Sequence, residues 1–274
     1  MTTLALIIDT FREALARKIF WAFFFASTTI LLFFLFIMHV DVVNGMVASL
    51  TFFRPARMNN AVSAVDVVRT AQSGLSGFLY SIGMGLAIFA SAGLISAVFE
   101  PGRVELLLSK PVQRWQILMG RYLGNLLIVG FNLFYLVTGF WIIFGVKVGV
   151  WRPYLLLSSV ITLFMFGVVL TFILLTAVLW ENAAVSILAT FALVIICLIL
   201  GARPMLERLL SSQISRNVVS GLYYVLPKVP ETGNILMKIN LGQHIDSWMP
   251  IWSSAIFGAV VLGTGLWVFS RRNF

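Results

Sequence analysis

Six uncharged, apolar segments are the feature that most constrains the fold of this chain. None of them contains Asp, Glu, Lys or Arg, and each is about as long as the hydrocarbon core of a bilayer requires. Because backbone polar groups in lipid must be hydrogen-bonded within their own segment, each run is predicted to be a helix. The six predicted spans are 19–39, 76–98, 123–146, 154–179, 182–200 and 250–269.

Composition supports the same class. The chain is 60% hydrophobic and only 11% charged, with a mean hydropathy of +1.01, whereas soluble domains carry about 25% charged residues. We therefore predict an all-α integral membrane protein, with residues 1–274 forming a single transmembrane domain. The net charge of +9 resides at the ends of the apolar runs, so anionic membrane lipid, and not nucleic acid, is the expected counterpart.

The distribution of basic residues predicts the orientation. An even number of spans places both termini on one side, together with the short segment 99–122. Lys and Arg are denser in these segments than in the longer segments 40–71 and 202–249. The positive-inside rule then predicts a multi-pass protein of the cell inner (cytoplasmic) membrane with cytoplasmic termini.

Two further segments show apolar residues at helical spacing. Residues 3–18 predict an amphipathic helix on the cytoplasmic leaflet, with Glu13 on its polar face; the alternative is a frayed extension of the first span. The stretch Met205–Leu226 predicts either a helix in the membrane interface or a surface helix packed on the spans.

Few residues suggest chemistry. The sequence contains no phosphate-binding P-loop and no nucleophile–base pair beside a span, so no catalytic residue is assigned. His39 and His244 are far apart and Cys197 is the single cysteine, so no metal site is predicted. Polar residues inside the spans are weak candidates for a substrate path, or alternatively make interhelical hydrogen bonds. They are Asn125, Asn132, Ser158 and Thr162.

Residues 100–121, EPGRVELLLSKPVQRWQILMGR, form a polar-rich insert held between two predicted spans. This segment resembles the cytoplasmic signature of type-2 ABC exporter permeases. The residues that carry the resemblance are Glu100, Gly102, Arg103, Glu105, Leu106, Leu107, Leu108, Ser109, Pro111, Arg114 and Gly120. Residues 10–14 are similar to the family's N-terminal connecting helix, and residues 270–274 to its C-terminal ending. Residues 223–227, YYVLP, resemble the branch that includes the permease of the nitrous oxide reductase copper-maturation system.

The resemblance implies a function for this insert. In that family it is a cytoplasmic coupling helix that docks on a separate ABC ATPase subunit, which holds ATP and Mg, so this chain would carry no cofactor and would not be an enzyme. Leu106, Leu107 and Leu108 would fill an apolar groove on the ATPase. Arg103, Glu105, Lys110 and Arg114 would pair at its polar rim, and Glu100 and Gly102 belong to the same predicted coupling site. The permease pairs with a second permease copy, as a homodimer or a heterodimer.

The sequence leaves three hypotheses about the activity. The first is the permease of an ATP-driven exporter, and a variant of it relays motion mechanically to an outer partner protein. The alternative is an ion-coupled secondary transporter, which the absence of Asp, Glu, Lys and Arg from the spans disfavours. The cargo is not readable from the sequence.

Overall fold

Six long apolar helices form the body of the computed structural model. The structure describes residues 8, 10–13, 15–16, 18–43, 46–51, 55–96, 113–203, 205–206 and 213–271. The helices are α1 (Lys18–Ile37), α2 (Ala64–Phe78), α3 (Met84–Ser96), α4 (Arg114–Val148), α5 (Tyr154–Trp180), α6 (Ala183–Gly201), α7 (Gln213–Val225), α8 (Val229–Leu241) and α9 (Met249–Arg271). A π-helical turn, Leu79–Gly83, joins α2 to α3 in one continuous helix.

The predicted all-α membrane fold with six spans is confirmed. α1, the joined α2–α3 helix, α4, α5, α6 and α9 are each long and apolar enough to cross a membrane. For α1, α5, α6 and α9 the ends lie within two residues of the predicted spans. The tight turn between α5 and α6 follows from Glu181, which adopts a left-handed conformation with φ of 52°, and from Asn182, whose Oδ1 accepts from the Ala184 and Val185 amides.

Two helices begin earlier than the apolar runs predict. The predicted span 76–98 corresponds to a helix that begins at Ala64, and the predicted span 123–146 to one that begins at Arg114. Hydropathy locates the part of a helix that lies in lipid, whereas caps locate its ends. Ser63 caps α2 by accepting from the Asp66 amide, and Gln113 caps α4 through a reciprocal pair of bonds with Gln116.

A small sheet that the sequence analysis did not predict follows α1. β1 (His39–Val43), β2 (Met46–Thr51) and β3 (Pro55–Ser63) form an antiparallel meander in the order β1-β2-β3. His39 pairs with Thr51, and Met46 pairs with Ser63. In the sequence, Asn44-Gly45 joins β1 to β2, and this dipeptide is the strongest short signal for a β-hairpin.

α5 lies at the centre of the bundle. It packs against α9, α4, α6, α3 and α8, and Leu170, Ile173 and Leu174 on it are fully buried. Gly258 and Gly265 on α9 lie seven residues apart on one face. A Cβ at Gly258 would lie 3.3 Å from Val168, and one at Gly265 would lie 3.0 Å from Leu174. These glycines let α9 approach α5 closely, which is the usual way that helices pack in membranes.

α8 is a short helix that packs into the same bundle from the end at which α4 ends. It contacts α2, α5 and α6. Its Asn240 Nδ2 donates to Ser76 Oγ of α2 at 3.0 Å, and the Tyr80 hydroxyl donates to the Val229 carbonyl at 2.6 Å. α7, by contrast, exposes Ile214, Val218 and Leu222, as expected for a helix in the membrane interface.

Candidate functional site: a cleft beside α1

A cleft of about 270 Å³ separates α1 from the joined α2–α3 helix. α4 forms its back wall, and Thr162 and Phe166 of α5 lie at its floor. The remaining lining is almost wholly apolar. It includes Phe20, Phe23 and Ile30 from α1, Leu86, Ala87 and Ala90 from α3, and Ile128, Val129 and Leu133 from α4.

The cleft exists because α1 packs mainly against α4 and not against α2–α3. The Thr28 and Tyr135 hydroxyls are 3.0 Å apart and form an interhelical hydrogen bond, and the Phe24 and Tyr135 rings lie 4.8 Å apart. Below this pair, Gly139 leaves room for Leu31, whose Cδ1 would lie 2.5 Å from a Cβ at that position. These contacts hold one face of α1 and leave the face towards α3 open.

The π-helical turn lies along the cleft. Leu79, Ile82 and Gly83 of this turn line the cavity, while Tyr80, within the same turn, points to α8. A π-turn inserts one extra residue into a helix and is frequent at functional sites. Here the same helix lines the cleft with Leu79, Ile82 and Gly83 and contacts α8 through Tyr80.

The structure brings three of the four predicted path residues to this cleft. Asn125, Asn132 and Thr162 line it. The fourth, Ser158, is buried beside it on α5, where its hydroxyl donates to the Leu155 carbonyl at 2.8 Å. As the seven-residue spacing predicted, Asn125 and Asn132 share one face of α4. Whether these residues contact cargo stays a prediction.

Their hydrogen bonds differ. Asn125 and Ser91 bond twice between α4 and α3: the Ser91 hydroxyl donates to Asn125 Oδ1 at 3.0 Å, and Asn125 Nδ2 donates to the Ser91 carbonyl at 3.3 Å. Asn125 therefore fastens two helices together. Asn132 Nδ2 donates within its own helix to the Ile128 carbonyl at 3.2 Å, and Asn132 Oδ1 is buried without a hydrogen-bond partner. The cleft thus holds one acceptor that is unsatisfied among the described residues.

The N-terminal helix, described at residues 8, 10–13 and 15–16, docks against the first turns of α4. Arg121 donates to the Glu13 carboxylate, and both side chains are almost fully buried. Thr10 is buried against Gly124, where a Cβ would lie 2.6 Å from the Cβ of Thr10. The carboxylate of Glu13, predicted to lie on the polar face of this helix, therefore faces the buried guanidinium of Arg121. That the helix lies on the cytoplasmic leaflet stays a prediction.

Among the residues predicted to couple to an ATPase, Arg114 is the first residue of α4. Glu100, Gly102, Arg103, Glu105, Leu106, Leu107 and Leu108 lie outside the described residues. Gln113, the residue before Arg114, caps α4, the helix that forms the back wall of the cleft.

Comparison with protein families supplies the assignment that the geometry leaves open. The model of the family described as ABC-2 family transporter protein matches residues 4–274. The chain belongs to this family. It is therefore the multi-pass transmembrane permease of an ABC transporter, and family membership implies association with an ABC ATPase subunit. No curated protein matches the chain. The family match does not distinguish the nitrous oxide reductase branch, which stays a prediction.

The permease also contains a cationic cluster that the sequence analysis missed. Lys228 is buried, donates to the Tyr223 carbonyl at 2.8 Å and lies 4.1 Å from the centroid of the Tyr223 ring. Arg203 lies 5.2 Å from the same ring, and the Tyr223 hydroxyl donates to the Glu231 carboxylate. The pKa of Tyr223 is raised, first by burial and then by its bond to Glu231. The YYVLP motif thus anchors the chain between α7 and α8.

Proposed function

We propose that this chain is the permease subunit of an ATP-driven exporter, and that a separate ABC ATPase subunit binds ATP and Mg and hydrolyses the nucleotide. Residues 100–116 would dock in a groove on that subunit, with Leu106, Leu107 and Leu108 in its apolar part and Arg103, Glu105 and Arg114 at its polar rim. Binding of ATP would close two ATPase subunits and move this segment.

The observation that carries the proposal is the continuity of α4. This helix runs unbroken for 35 residues, which corresponds to roughly 50 Å. Its first residues, 114–116, are the last of the proposed coupling segment, and its middle section supplies Asn125, Ile128 and Asn132 to the cleft. A rigid helix of this kind transmits a tilt at one end to the wall of the cleft.

The N-terminal helix would take part in the same transmission of movement from the coupling segment to the cleft. Through the pair of Glu13 and Arg121, it moves with the start of α4. It also leads into α1, which forms one side wall of the cleft. A shift of the coupling segment would therefore move α4 and α1 relative to the joined α2–α3 helix, which forms the other side wall, and would change the width of the cleft.

The lining of the cleft indicates the chemistry of the cargo. The described lining includes no ionisable side chain, which disfavours ion coupling at this place because charge must be exchanged there. A mainly apolar cargo with a hydrogen-bond donor fits, since Asn132 Oδ1 is an acceptor without a partner among the described residues. In the relay variant, residues 40–71 and 202–249 would instead contact an outer partner protein.

The remaining features of the proposal follow the charge pattern and the family. The chain would lie in the cell inner membrane, with both termini and residues 99–122 in the cytoplasm, and would pair with a second permease copy. The sequence lacks a P-loop, so the chain alone would not hydrolyse ATP.

The test is co-purification of the permease with its ABC ATPase subunit after co-expression. Leu107→Asp places a charge in an apolar groove, and an unpaired buried charge costs several kcal/mol. We expect this variant to lose the ATPase subunit. Arg114→Ala, at the rim, should weaken the complex by about 0–1 kcal/mol.

Leu222→Asp is the matched control, because it makes the same substitution at an exposed position of α7. It should retain the ATPase subunit in full. All three variants should insert in the membrane normally. If Leu107→Asp co-purifies as well as Leu222→Asp and still supports ATP-driven activity, residues 100–116 are not the coupling element.

A further inference from the structure

Two arginines converge at the end of the bundle opposite the N-terminal helix. Arg69 lies on α2, and Arg152 lies in the connection between α4 and α5. Gln72 fixes this connection, since its Nε2 donates to the Arg152 carbonyl at 3.4 Å. The two guanidinium groups therefore belong to parts of the chain that are held together, although they are far apart in the sequence.

Gly242 brings a third segment to the same place. It caps α8 in a left-handed conformation with φ of 72°. A Cβ there would lie 3.7 Å from Arg152 Nη2 and 4.0 Å from Arg69 Cζ and Nη2. Both guanidinium groups thus approach one point on the surface of this glycine, within van der Waals contact of the Cβ position.

The positive charge of this cluster is only partly balanced. Asp66 Oδ1 lies 3.3 Å from Arg69 Nη1, and both side chains are about half exposed. Arg152 lies 4.8 Å from the centroid of the Tyr154 ring and has no ion pair with any described residue. Burial, and then the charge of Arg69, lower the pKa of Arg152 from its ordinary value, so a second anion would relieve a repulsion that is already present.

Two donors of the cluster are also unsatisfied. Arg69 Nε and Arg152 Nη1 are buried and lack a hydrogen-bond partner among the described residues. Leaving a buried charged donor unpaired is costly, and such groups are rare unless water or a ligand satisfies them. The unsatisfied donors and the excess positive charge therefore both indicate an anionic ligand that accepts hydrogen bonds.

We propose that Arg69 and Arg152 form a binding site for a phosphate group. A planar guanidinium matches the spacing of phosphate oxygens, and a single phosphate offers enough oxygens to accept from both arginines at once. Trp151 and Tyr154, which flank Arg152, are both exposed, and exposed Trp and Tyr are typical of the level of lipid headgroups. A phospholipid headgroup and a free phosphate compound supply the same chemistry.

The test uses the full-length permease in detergent. Native mass spectrometry during titration with dioleoylphosphatidylglycerol measures lipid binding, and thermal unfolding with inorganic phosphate, against chloride at equal ionic strength, measures binding of a free anion. Arg69→Gln combined with Arg152→Gln should weaken binding by about tenfold or more, because it removes both groups that would donate charge-assisted hydrogen bonds to the phosphate. Arg216→Gln, which removes the same charge from exposed α7, should change nothing.

The results separate the sources of the phosphate group. Lipid adducts that the double variant loses support a headgroup site, and stabilisation by inorganic phosphate alone supports a site for a soluble phosphate compound. Equal behaviour of the wild type and the double variant towards both probes overturns the proposal. If the double variant does not fold, Arg152→Lys carries the test, because it keeps the charge without the planar fork: weaker binding supports the site, and unchanged binding overturns it.

Discussion

α5 and α1 are both uninterrupted apolar helices, yet the protein uses them in opposite ways. Their most apolar windows have similar hydropathies, 2.6 for α5 and 2.2 for α1. In α5, 67% of that window is buried inside the protein, whereas in α1 only 11% is buried. α5 is enclosed by five other helices, and α1 packs mainly against α4.

The difference shows where this permease can move. Lipid chains are as apolar as leucine, so a helix gains little by burying an apolar face against protein in place of lipid, and packing detail decides how firmly it is held. α5 packs closely against neighbouring helices along its whole length. α1 is held by the N-terminal helix at one end and by the contact of Thr28 with Tyr135 further along. The cleft lies beside the helix that is held least.

The largest expected effect is in the centre of α5. Leu170→Ala removes a fully buried side chain, and the resulting cavity should lower the free energy of unfolding by about 2–5 kcal/mol. Leu32→Ala makes the same change on α1 at a half-exposed position, where lipid fills the space, so it should cost much less. Reversible unfolding by SDS in mixed micelles measures both. Equal losses would show that α1 is packed as firmly as α5.

An intermediate effect is expected where the N-terminal helix holds α1. Glu13→Gln leaves the buried Arg121 guanidinium without its counter-ion and should cost about 1–3 kcal/mol. The double variant Glu13→Leu with Arg121→Met should recover much of this loss, because an apolar pair of similar size replaces a buried ion pair with little penalty. Limited proteolysis of the N-terminal segment measures its release. If Glu13→Gln is released no more readily than the wild type, the ion pair is not what docks this helix.

The smallest expected effect lies in the middle of α1. Tyr135→Phe removes the hydrogen bond to Thr28, and such bonds between membrane helices contribute about 0.6 kcal/mol on average. Stability should barely change, but α1 should separate from α4 more often. Labelling of a cysteine placed at Ala90, which lines the cleft, measures this opening in a Cys197→Ala background. Faster labelling is expected, and an unchanged rate would show that the contact does not control the cleft.

Sequence patterns predicted the membrane spans well, but they predicted the starts of two helices and the small sheet poorly. The apolar runs located six helices, because hydropathy measures what lipid requires of a segment. They misplaced the starts of α2 and α4, because Asp66, Arg69, Arg114 and Arg121 interrupt the runs while the helices continue beyond the lipid. The sheet was missed although Asn44-Gly45 was a usable signal for its first hairpin.

In the candidate site, too, the sequence predicted part of the arrangement and the tertiary structure decided the rest. The seven-residue spacing of Asn125 and Asn132 placed them on one face of α4, since helical geometry fixes which side chains share a face. No spacing could show that Asn125 bonds to Ser91 while Asn132 Oδ1 has no partner in the cleft. Those roles depend on which helix stands opposite each residue.

The sequence by itself determined the membrane class, the six spans and the family resemblance, because each of these follows from local composition and from contiguous residues. Tertiary structure alone decided that α5 is enclosed and α1 is peripheral, that Glu13 pairs with Arg121, and that Arg69 meets Arg152. The physical reason is that lipid accepts any apolar helix equally, so hydropathy carries no information about neighbours. Partners are selected by shape and by the few polar groups that lipid cannot satisfy.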